Sequence, residues 1–276
     1  HEIFSKQKNI KITYKKILVE KDLFAKKLIE LNKAGFCGLN ITLPFKEEAY
    51  EYALSHKNFS ISTRAKIAKS VNTFYFENSK NFFADNTDGI GFINSLLELG
   101  LKKNQFKKFS ILIIGSGGAS KGIISPLLDL DPKQIYIANR TSEKLKKIQS
   151  QFKEQNLFFL DLTSLKNLKK IPNKKNLEKL KFDLIINATS SSLTGQSKLI
   201  DPIFFRDCRL AVDLFYSNKL TPFMQYAKDS GAQEVADGLG MLIGQAAESF
   251  FIWTGFRPET SAVLNLIRRK IKNKGF

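Results

Sequence analysis

The chain has 276 residues, of which 43% are hydrophobic and 12% aromatic, a composition typical of a globular protein with room for two domains. Its net charge of +18 comes from lysines scattered over most segments, without an RNA-binding aromatic motif or a zinc finger, so we expect no nucleic-acid partner. No apolar run approaches the roughly 18 residues of a membrane helix and no signal-peptide pattern is found, which predicts a cytoplasmic protein without a membrane partner. Two cysteines and two histidines predict neither a disulfide framework nor a metal site.

The first 93 residues are predicted to contain a helix, a strand and a hairpin. Asp22 is expected to cap the helix and Gly35 to end it. Alternation over residues 37–43 predicts a strand that Pro44 ends before a second helix, and the hairpin pairs residues 71–76 with 82–84. The residues expected on the buried faces are Leu23, Phe24, Leu28 and Leu31 of the helix, and Cys37, Leu39, Ile41 and Leu43 of the strand.

The middle of the chain has the pattern of a dinucleotide-binding unit. An apolar run, Phe109–Ile114, ends in Gly115-Ser116-Gly117-Gly118-Ala119-Ser120, and a second run, Ile135–Ala138, ends in Asn139-Arg140-Thr141. Strand, glycine-rich turn, helix and strand in this order present backbone N–H groups to a pyrophosphate. Ser120 occupies the third glycine position, where a small residue still allows the helix to pack closely on the strand.

The end of the second run indicates which dinucleotide is bound. An NAD site places a carboxylate about 20 residues after the glycine turn, where it binds the ribose 2′-hydroxyl. This chain instead has Asn139 and Arg140, and a guanidinium suits a 2′-phosphate. The alternative is a glycine turn of some other α/β protein, with Arg140 as a surface charge. We therefore predict NADP as the cofactor.

The remaining segments predict a sheet followed by two helices. Further strands are expected at Leu157–Leu160, Phe182–Asn187 and Leu210–Leu214, and their alternation with helical stretches favours a parallel, doubly wound sheet. The lysine-rich stretch 166–181 is predicted to be exposed and without a chemical role. A helix from Gly240 to Thr254 and another that begins at Pro258 and ends in a basic tail complete the chain.

The residue types of Lys46, Asp88 and Gln245 make them candidates for a role in chemistry or ligand binding. A Lys46–Asp88 pair in a cleft can move one proton, because the carboxylate orients the ammonium. Taken singly, Lys46 is better explained as a solvated helix start and Asp88 as a turn or cap residue. Gln245 lies in an apolar helix, where a buried amide needs partners. The pattern leaves open whether those partners belong to the core or to a ligand.

Several motifs in this order resemble the shikimate dehydrogenase family. They are Asn40–Lys46, Ser70–Thr73, Asp85–Gly91, Gly115–Ser120, Asn139–Thr141, Asn187–Ser190, Asp213–Tyr216 with Thr221–Phe223, and Asp237–Met241 with Gln245–Ala247. The resemblance implies an α/β fold with two lobes, a substrate-binding lobe and a Rossmann-type NADP-binding lobe. It also implies reduction of 3-dehydroshikimate to shikimate with NADPH, in chorismate and aromatic amino-acid synthesis.

The resemblance also assigns roles to individual residues. Lys46 and Asp88 match the catalytic pair, with Lys46 as the proton donor to the developing alkoxide. The positions that match substrate-binding residues are Thr42, Asn72, Asp88, Tyr216 and Gln245. Those that match cofactor-binding residues are Gly115, Gly117, Gly118, Ala119 and Ser120 at the pyrophosphate, Asn139, Arg140 and Thr141 at the adenosine phosphate, and Leu214 and Gly238 beside the nicotinamide.

The same resemblance sets the expected organisation of the chain and its rivals. Residues 1–93 are expected to bind substrate, residues 94–237 to bind NADP, and residues 238–276 to return to the first unit, in a monomer or homodimer. The rivals are an NAD-using quinate/shikimate dehydrogenase and a non-catalytic nucleotide-binding relative.

Departures from the family pattern bear on the second rival. They are Ser192 where Gly is usual, Ser217-Asn218-Lys219 where Pro is usual, and about five extra residues between Lys46 and Asn72. The family's substrate-carboxylate serines would precede His1, so we expect the chain as given to bind NADPH but to bind shikimate weakly.

Overall fold

A four-stranded sheet forms the first part of the molecule in the computed structural model, which describes residues 1–78, 80–152, 155–166, 168 and 177–274. Its strand order is β1-β3-β4-β2, with β1–β3 and β3–β4 antiparallel and β2–β4 parallel. The strands are β1 (Gly38–Asn40), β2 (Phe59–Ile61), β3 (Thr73–Phe76) and β4 (Phe82–Asp85). The helices around them are α1 (Glu2–Gln7), α2 (Phe24–Lys33), α3 (Lys46–Ser55) and α4 (Thr63–Ala68).

A six-stranded sheet, parallel throughout, forms the second part. Its order is β10-β9-β8-β5-β6-β7, so successive connections move outward in opposite directions from β5 and β8. The strands are β5 (Ser110–Ile114), β6 (Gln134–Asn139), β7 (Leu157–Asp161), β8 (Leu184–Asn187), β9 (Leu210–Asp213) and β10 (Glu234–Asp237). The accompanying helices are α6 (Gly118–Leu128), α7 (Ser142–Gln151), α8 (Leu162–Lys166) and α9 (Pro222–Asp229).

This topology confirms the predicted α/β class and doubly wound sheet. Ligands of such sheets bind at the carboxyl ends of the strands where the winding direction changes, which here is between β5 and β8. β5 is apolar on both faces because both are covered: Ile111 and Ile113 pack into one core cluster, and Leu112 and Ile114 into another.

Two long helices connect the sheets. Helix α5 (Asp88–Glu98) leads from the small sheet to the large one, and α10 (Leu239–Thr254) returns, followed by α11 (Ser261–Lys274). At their crossing, a Cβ on Gly91 would lie 2.3 Å from the Gln245 nitrogen, and one on Gly244 would lie 2.6 Å from the Gly91 oxygen. The close approach brings the start of α5 beside Gln245. Within the described residues, no helix has both the length and the apolar character required to cross a membrane.

Some local predictions were wrong. Helix α2 has Leu23 at its N-cap, and Asp22 adopts φ +73° and makes no capping hydrogen bond. Leu23 is exposed, because it precedes the first helical turn. Only Gly38–Asn40 of the predicted strand pairs with β3, and beyond it Leu43 is 72% exposed. Cys37 is also exposed.

Other predictions were confirmed or stay partly open. The hairpin is present as β3 and β4, while Ser79 of its turn lies outside the described residues. Helix α11 begins at Ser261 and not at Pro258 as predicted; residues 256–260 precede it without helical structure. Most of the lysine-rich stretch, at 167 and 169–176, also lies outside the described residues; of those described, Leu168 is buried and Lys181 exposed.

Candidate functional site

Lys46 and Asp88 form an ion pair although they are far apart in sequence. The Lys46 Nζ lies 2.5 Å from Asp88 Oδ2, and the two side chains are 20% and 8% exposed. Each residue is the first of its helix, Lys46 of α3 and Asp88 of α5. The Asp88 carboxylate lies at the positive end of the α5 dipole, and the ammonium of Lys46 is its counter-charge. The geometry satisfies the requirement for a proton donor held by a carboxylate.

Asn72 anchors the other oxygen of Asp88. Its Nδ2 donates to Asp88 Oδ1 at 2.9 Å and to Thr87 Oγ1 at 3.0 Å. Its Oδ1 accepts from the Thr87 N–H at 2.9 Å and from Thr73 Oγ1 at 2.8 Å. The Asp88 N–H in turn donates to Asn86 Oδ1 at 3.1 Å. Both carboxylate oxygens of Asp88 are thus fixed by neighbouring side chains.

Gln245 belongs to the same cluster and resolves part of the question that its sequence left open. Its Oε1 accepts from Asn72 Nδ2 at 3.4 Å, and its Nε2 donates to the Leu242 oxygen at 2.9 Å. The residue is half-buried, so its amide is neither sealed in the core nor free on the surface. Gln245 therefore borders the space above the Lys46–Asp88 pair.

The glycine-rich turn lies close to this cluster. Helix α6, which begins directly after the turn, passes the pair so closely that a Cβ on Gly122 would lie 3.4 Å from Asp88 Cβ. A Cβ on Gly118 would lie 4.0 Å from Leu43 Cδ2, and Lys121 Nζ lies 3.0 Å from Glu47 Oε1. The end of β1 and the start of α3 therefore face the turn across a cleft.

The turn itself has the features of a phosphate-binding site. Gly115 adopts φ +108°, and a Cβ there would lie 2.9 Å from Thr189 Cγ2, so a larger residue would be strained. A Cβ on Gly117 would meet no atom within 4 Å, which leaves space before the first turn of α6. Among the described residues, the buried hydroxyls of Ser116 and Ser120 have no hydrogen-bond partner. Unpartnered donors at a helix N-terminus fit the pyrophosphate of NADP.

The end of β6 presents an unpaired cation. Arg140 is exposed, and no ion pair to it occurs within the part of the chain that the structure describes. Asn139 donates from Nδ2 to the Thr141 oxygen at 3.2 Å, which shapes the turn into α7. A guanidinium held on a shaped turn and free of carboxylates fits a ribose 2′-phosphate.

Leu214 and Gly238 lie together at the ends of β9 and β10. The Gly238 N–H donates to the Phe215 oxygen at 3.1 Å, and a Cβ on Gly238 would lie 2.0 Å from the Leu214 oxygen. Position 238, which is predicted to lie beside the nicotinamide, therefore has no space for a side chain. The backbone contact brings the start of α10, and with it Gln245, to the carboxyl edge of the large sheet.

Asp213 organises the loops at this edge. It is fully buried, and its carboxylate accepts from Ser192 Oγ at 2.5 Å, from Thr221 Oγ1 at 2.6 Å and from Asn187 Nδ2 at 3.1 Å. Burial raises the pKa of Asp213, and these hydrogen bonds, with that of the Phe215 N–H, oppose the shift. Ser192, which departs from the family pattern, is therefore a hydrogen-bond donor to a buried carboxylate.

Two predicted site residues do not contact the cluster. Thr42 is exposed at the end of β1, and only its backbone oxygen is engaged, by the Phe45 N–H at 3.0 Å. Tyr216 is 40% exposed and stacks on Phe215 with ring centroids 6.3 Å apart. Within the described residues, neither side chain is hydrogen-bonded to Lys46, Asp88, Asn72 or Gln245. Both residues are exposed and, among the described residues, Tyr216 contacts Phe215 through its ring.

Sequence reasoning missed several residues that shape this site. Asn86 and Thr87 lie inside the Asp85–Gly91 motif, but the sequence did not predict their side-chain hydrogen bonds to Asp88 and Asn72. Ser249 was missed altogether, although it follows Gln245 by four positions and therefore shares its face of the helix. Within the described residues, no group of three or more His, Cys, Asp or Glu side chains could hold a metal ion.

Comparison with known proteins identifies this arrangement. Family models match residues 1–74 (shikimate dehydrogenase substrate binding domain), 98–194 (shikimate / quinate 5-dehydrogenase) and 238–268 (shikimate 5′-dehydrogenase C-terminal domain). A relative from Nitrosomonas europaea, named shikimate dehydrogenase (NADP(+)), is 39% identical over 273 residues, which cover 99% of this chain and 92% of the relative. The chain belongs to the shikimate dehydrogenase family.

Further members of the shikimate dehydrogenase family agree with this assignment. A Legionella pneumophila protein of the same name is 40% identical over 97% of this chain and 92% of its own length. The crystal structure of the Thermus thermophilus shikimate 5-dehydrogenase in complex with NADP(H) and shikimate matches with a TM-score of 0.79 and 26% identity. That match covers 98% of this chain and 92% of the Thermus chain. The shikimate dehydrogenase of Aquifex aeolicus also gives 0.79, at 28% identity, over 97% and 90% of the two chains.

Proposed function

We propose that the chain is an NADP-dependent shikimate dehydrogenase, which reduces 3-dehydroshikimate to shikimate reversibly in the route to chorismate and the aromatic amino acids. The observation that carries the proposal is the Lys46–Asp88 ion pair, 2.5 Å between Nζ and Oδ2, beside the helix that follows the glycine-rich turn. A proton donor and a dinucleotide site on opposite walls of one cleft are what reduction of a ketone requires. The NADP(+) in the names of the relatives agrees with an Arg at position 140.

Lys46 is the proton donor in this proposal. NADPH, when bound, supplies the hydride that reduces the carbonyl carbon. The Lys46 ammonium donates a proton to the oxygen as it becomes an alkoxide, and the resulting hydroxyl carries that proton. Asp88 holds Nζ in place, because its carboxylate accepts a hydrogen bond from the ammonium at 2.5 Å. In the reverse direction, Lys46 accepts the hydroxyl proton.

The polar cluster is proposed to orient the substrate ring. Asn72 and Gln245 border the space above Lys46, and each has amide atoms within reach of a hydroxyl there. Thr42 and Tyr216, which have no fixed side-chain partner among the described residues, are assigned to the hydroxyls or carboxylate at the cleft mouth. Asp88 completes the set as both an orienting residue and an acceptor.

The cofactor is assigned to residues on the opposite wall. Arg140, with Asn139 and Thr141, is proposed to bind the 2′-phosphate. The pyrophosphate is assigned to Gly115, Gly117, Gly118, Ala119 and Ser120, and the nicotinamide to the backbone at Leu214 and Gly238. The unpartnered Ser116 and Ser120 hydroxyls support this assignment.

The division of the chain is part of the proposal. Residues 1–93, with 238–276 returning to them, form the substrate-binding domain, and residues 94–237 the NADP-binding domain. We also propose a cytoplasmic location, which suits the two free cysteines, Cys37 and Cys208. A monomer or homodimer is expected, and sedimentation equilibrium distinguishes the two.

Steady-state kinetics of the purified chain tests the function, with both acids raised to high concentrations because shikimate is expected to bind weakly. We expect NADPH oxidation that depends on 3-dehydroshikimate, and NADP⁺ reduction that depends on shikimate. Turnover with NAD⁺ and quinate at comparable kcat/KM would favour the quinate/shikimate rival. Binding of NADPH without turnover of either acid would establish a non-catalytic relative and contradict the proposal.

A further inference from the structure

Ser249 of α10 lies at the centre of a hydrogen-bonded chain of buried side chains. It is completely buried, and its Oγ lies 2.9 Å from Asn40 Nδ2, 2.8 Å from Thr73 Oγ1 and 3.0 Å from the Gln245 oxygen. Thr73 in turn reaches Asn72 Oδ1 at 2.8 Å, and Asn72 reaches Asp88. The chain therefore runs from the edge strand β1 to the Lys46–Asp88 pair.

The donor direction along this chain follows from counting hydrogens. Asn40 Oδ1 accepts from the Tyr14 hydroxyl at 2.9 Å, so the amide nitrogen of Asn40 faces Ser249 and donates to it. The single hydroxyl hydrogen of Thr73 goes to Asn72 Oδ1, so Thr73 Oγ1 accepts from Ser249, whose one hydrogen is shared between Thr73 Oγ1 at 2.8 Å and the backbone oxygen of Gln245 at 3.0 Å. Each member donates to the next, from Asn40 through Ser249 and Thr73 to Asn72.

This direction fixes which way the amide of Asn72 points. Its oxygen receives the Thr73 hydroxyl and the Thr87 N–H, which leaves its NH₂ group facing Asp88 Oδ1 at 2.9 Å and Gln245 Oε1 at 3.4 Å. If the Asn72 amide were flipped, its oxygen would face the Asp88 carboxylate, and its NH₂ group would face the Thr87 N–H, which is also a donor. Such a half-satisfied buried network costs free energy.

We propose that Ser249 is a positioning residue for the reaction: its hydroxyl, acting through Thr73, holds the Asn72 amide with its donors toward Asp88 and the substrate. The inference rests on the proposed function and adds to it a residue to which the sequence motifs assign no role. Ser249 touches neither Lys46 nor Asp88 among its described contacts, which are Asn40, Thr73, Thr87 Oγ1 at 3.3 Å and the Gln245 backbone oxygen. The shortest of its side-chain contacts, to Thr73 at 2.8 Å, leads to the Asn72 amide oxygen.

A second buried serine provides a matched control. Ser95 of α5 is also buried, and among the described residues its hydroxyl donates to the Phe92 oxygen of its own helix at 2.7 Å and to no other group. Ser95→Ala therefore removes the same atom from a buried site without touching the chain to Asn72. A merely structural role for Ser249 would make the two alanine variants behave alike.

The test compares Ser249→Ala, Ser95→Ala and wild type in shikimate oxidation, with thermal unfolding measured for each. Loss of one neutral hydrogen bond at Ser249 is expected to raise the KM for shikimate, or lower kcat/KM, by about 2- to 12-fold. The KM for NADP⁺ should stay at the wild-type value, as it should for Ser95→Ala with both substrates. If Ser249→Ala does not fold, Thr73→Val, which keeps the shape and removes the next donor, is expected to raise the shikimate KM in the same way.

An Asn72→Ala background distinguishes a route through Asn72 from a direct effect. With Asn72 truncated, removal of the Ser249 hydroxyl should cause no further loss in shikimate kcat/KM. An equal loss in both backgrounds, or identical shikimate kinetics for Ser249→Ala and Ser95→Ala, would overturn the inference alone. A wild-type chain that binds NADPH but does not oxidise shikimate would overturn the proposed function and this inference with it.

Discussion

The proposed substrate site, which we call the substrate wall, and the proposed nucleotide site, the nucleotide wall, differ in how their polar side chains are paired. On the substrate wall the polar side chains are already bound to each other, as in the ion pair of Lys46 with Asp88 and the bonds from Asn72. On the nucleotide wall the polar groups are unpaired within the described residues: Arg140 is exposed, and the Ser116 and Ser120 hydroxyls have no partner.

The difference reflects what each wall must recognise. A neutral ring hydroxyl is distinguished only by where donors and acceptors stand, so the substrate wall fixes its side chains through a network. Phosphates carry charge and accept from any nearby N–H group, so a helix N-terminus and a free guanidinium suffice. We therefore expect substitutions on the substrate wall to alter turnover, and those on the nucleotide wall to alter cofactor affinity.

Lys46→Ala should produce the largest effect and tests the first half of this comparison. Loss of a general acid lowers turnover by about 10²- to 10⁴-fold. NADPH affinity, measured by fluorescence titration, should be unchanged, because the nucleotide wall is intact. Lys66→Ala, an exposed lysine on α4, serves as the control and should keep wild-type kcat. Near-normal turnover of Lys46→Ala would remove Lys46 from the mechanism.

Arg140→Ala tests the second half. The guanidinium should contribute about 1.5–3 kcal/mol to NADPH binding, as hydrogen bonds to charged groups do. NADPH affinity should therefore fall by about 10- to 150-fold, while NADH affinity changes little because that cofactor lacks the 2′-phosphate. Lys146→Ala, which removes one exposed positive charge from α7, should leave both affinities unchanged. Equal losses for NADPH and NADH would show a structural role for Arg140.

Gly91→Ala and Gly117→Ala compare glycines from the two walls. A Cβ on Gly91 would lie 2.3 Å from the Gln245 nitrogen, so α5 and α10 must separate, and overpacking of this kind costs about 1–3 kcal/mol of unfolding free energy. A Cβ on Gly117 would meet no atom within 4 Å, and its φ of −81° suits alanine. Gly117→Ala should keep its stability and weaken NADPH binding. Urea unfolding of both variants checks the contrast, which equal stabilities would contradict.

The smallest expected effect is a pH dependence of the unfolding free energy that comes from the buried Asp213. Asp88 faces a cation, whereas the described partners of Asp213 are neutral donors. Burial raises the pKa of Asp213 above the ordinary 3.8, so the folded state favours its protonated form. Its contribution to stability is thus largest below the ordinary value and is lost as the pH rises through the raised pKa.

Asp213→Asn removes this titration. Relative to wild type, the variant should gain unfolding free energy as the pH rises through the raised pKa, because only the wild-type carboxyl must ionise in a buried site. Urea unfolding at a series of pH values measures the difference. A constant difference between the two proteins would mean that Asp213 titrates alike in the folded and unfolded states.

Local pattern determined much of the nucleotide half. The runs Phe109–Ile114 and Ile135–Ala138 became β5 and β6, and the glycine turn and Arg140 lie where the pattern predicted. These features depend on residues close in sequence, on burial of both sheet faces and on the needs of a tight turn. The strand β10 was missed, since its half-buried residues Glu234–Asp237 lack an apolar run and gain their strand structure from pairing with β9.

Tertiary structure alone decided the substrate half of the site. Lys46 and Asp88 are 42 positions apart, and Asn40 and Ser249 are 209 apart, so no spacing rule joins them. Lys46 meets Asp88 where the start of α3 lies beside the start of α5. Ser249 and Gln245 join them through the crossing of α5 and α10 at Gly91 and Gly244, a close approach that neither helix specifies alone. The sequence by itself determined which residue types were available and which cofactor suits Arg140. The fold decided which of the many lysines meets a buried carboxylate, because only packing brings distant helix ends to one point.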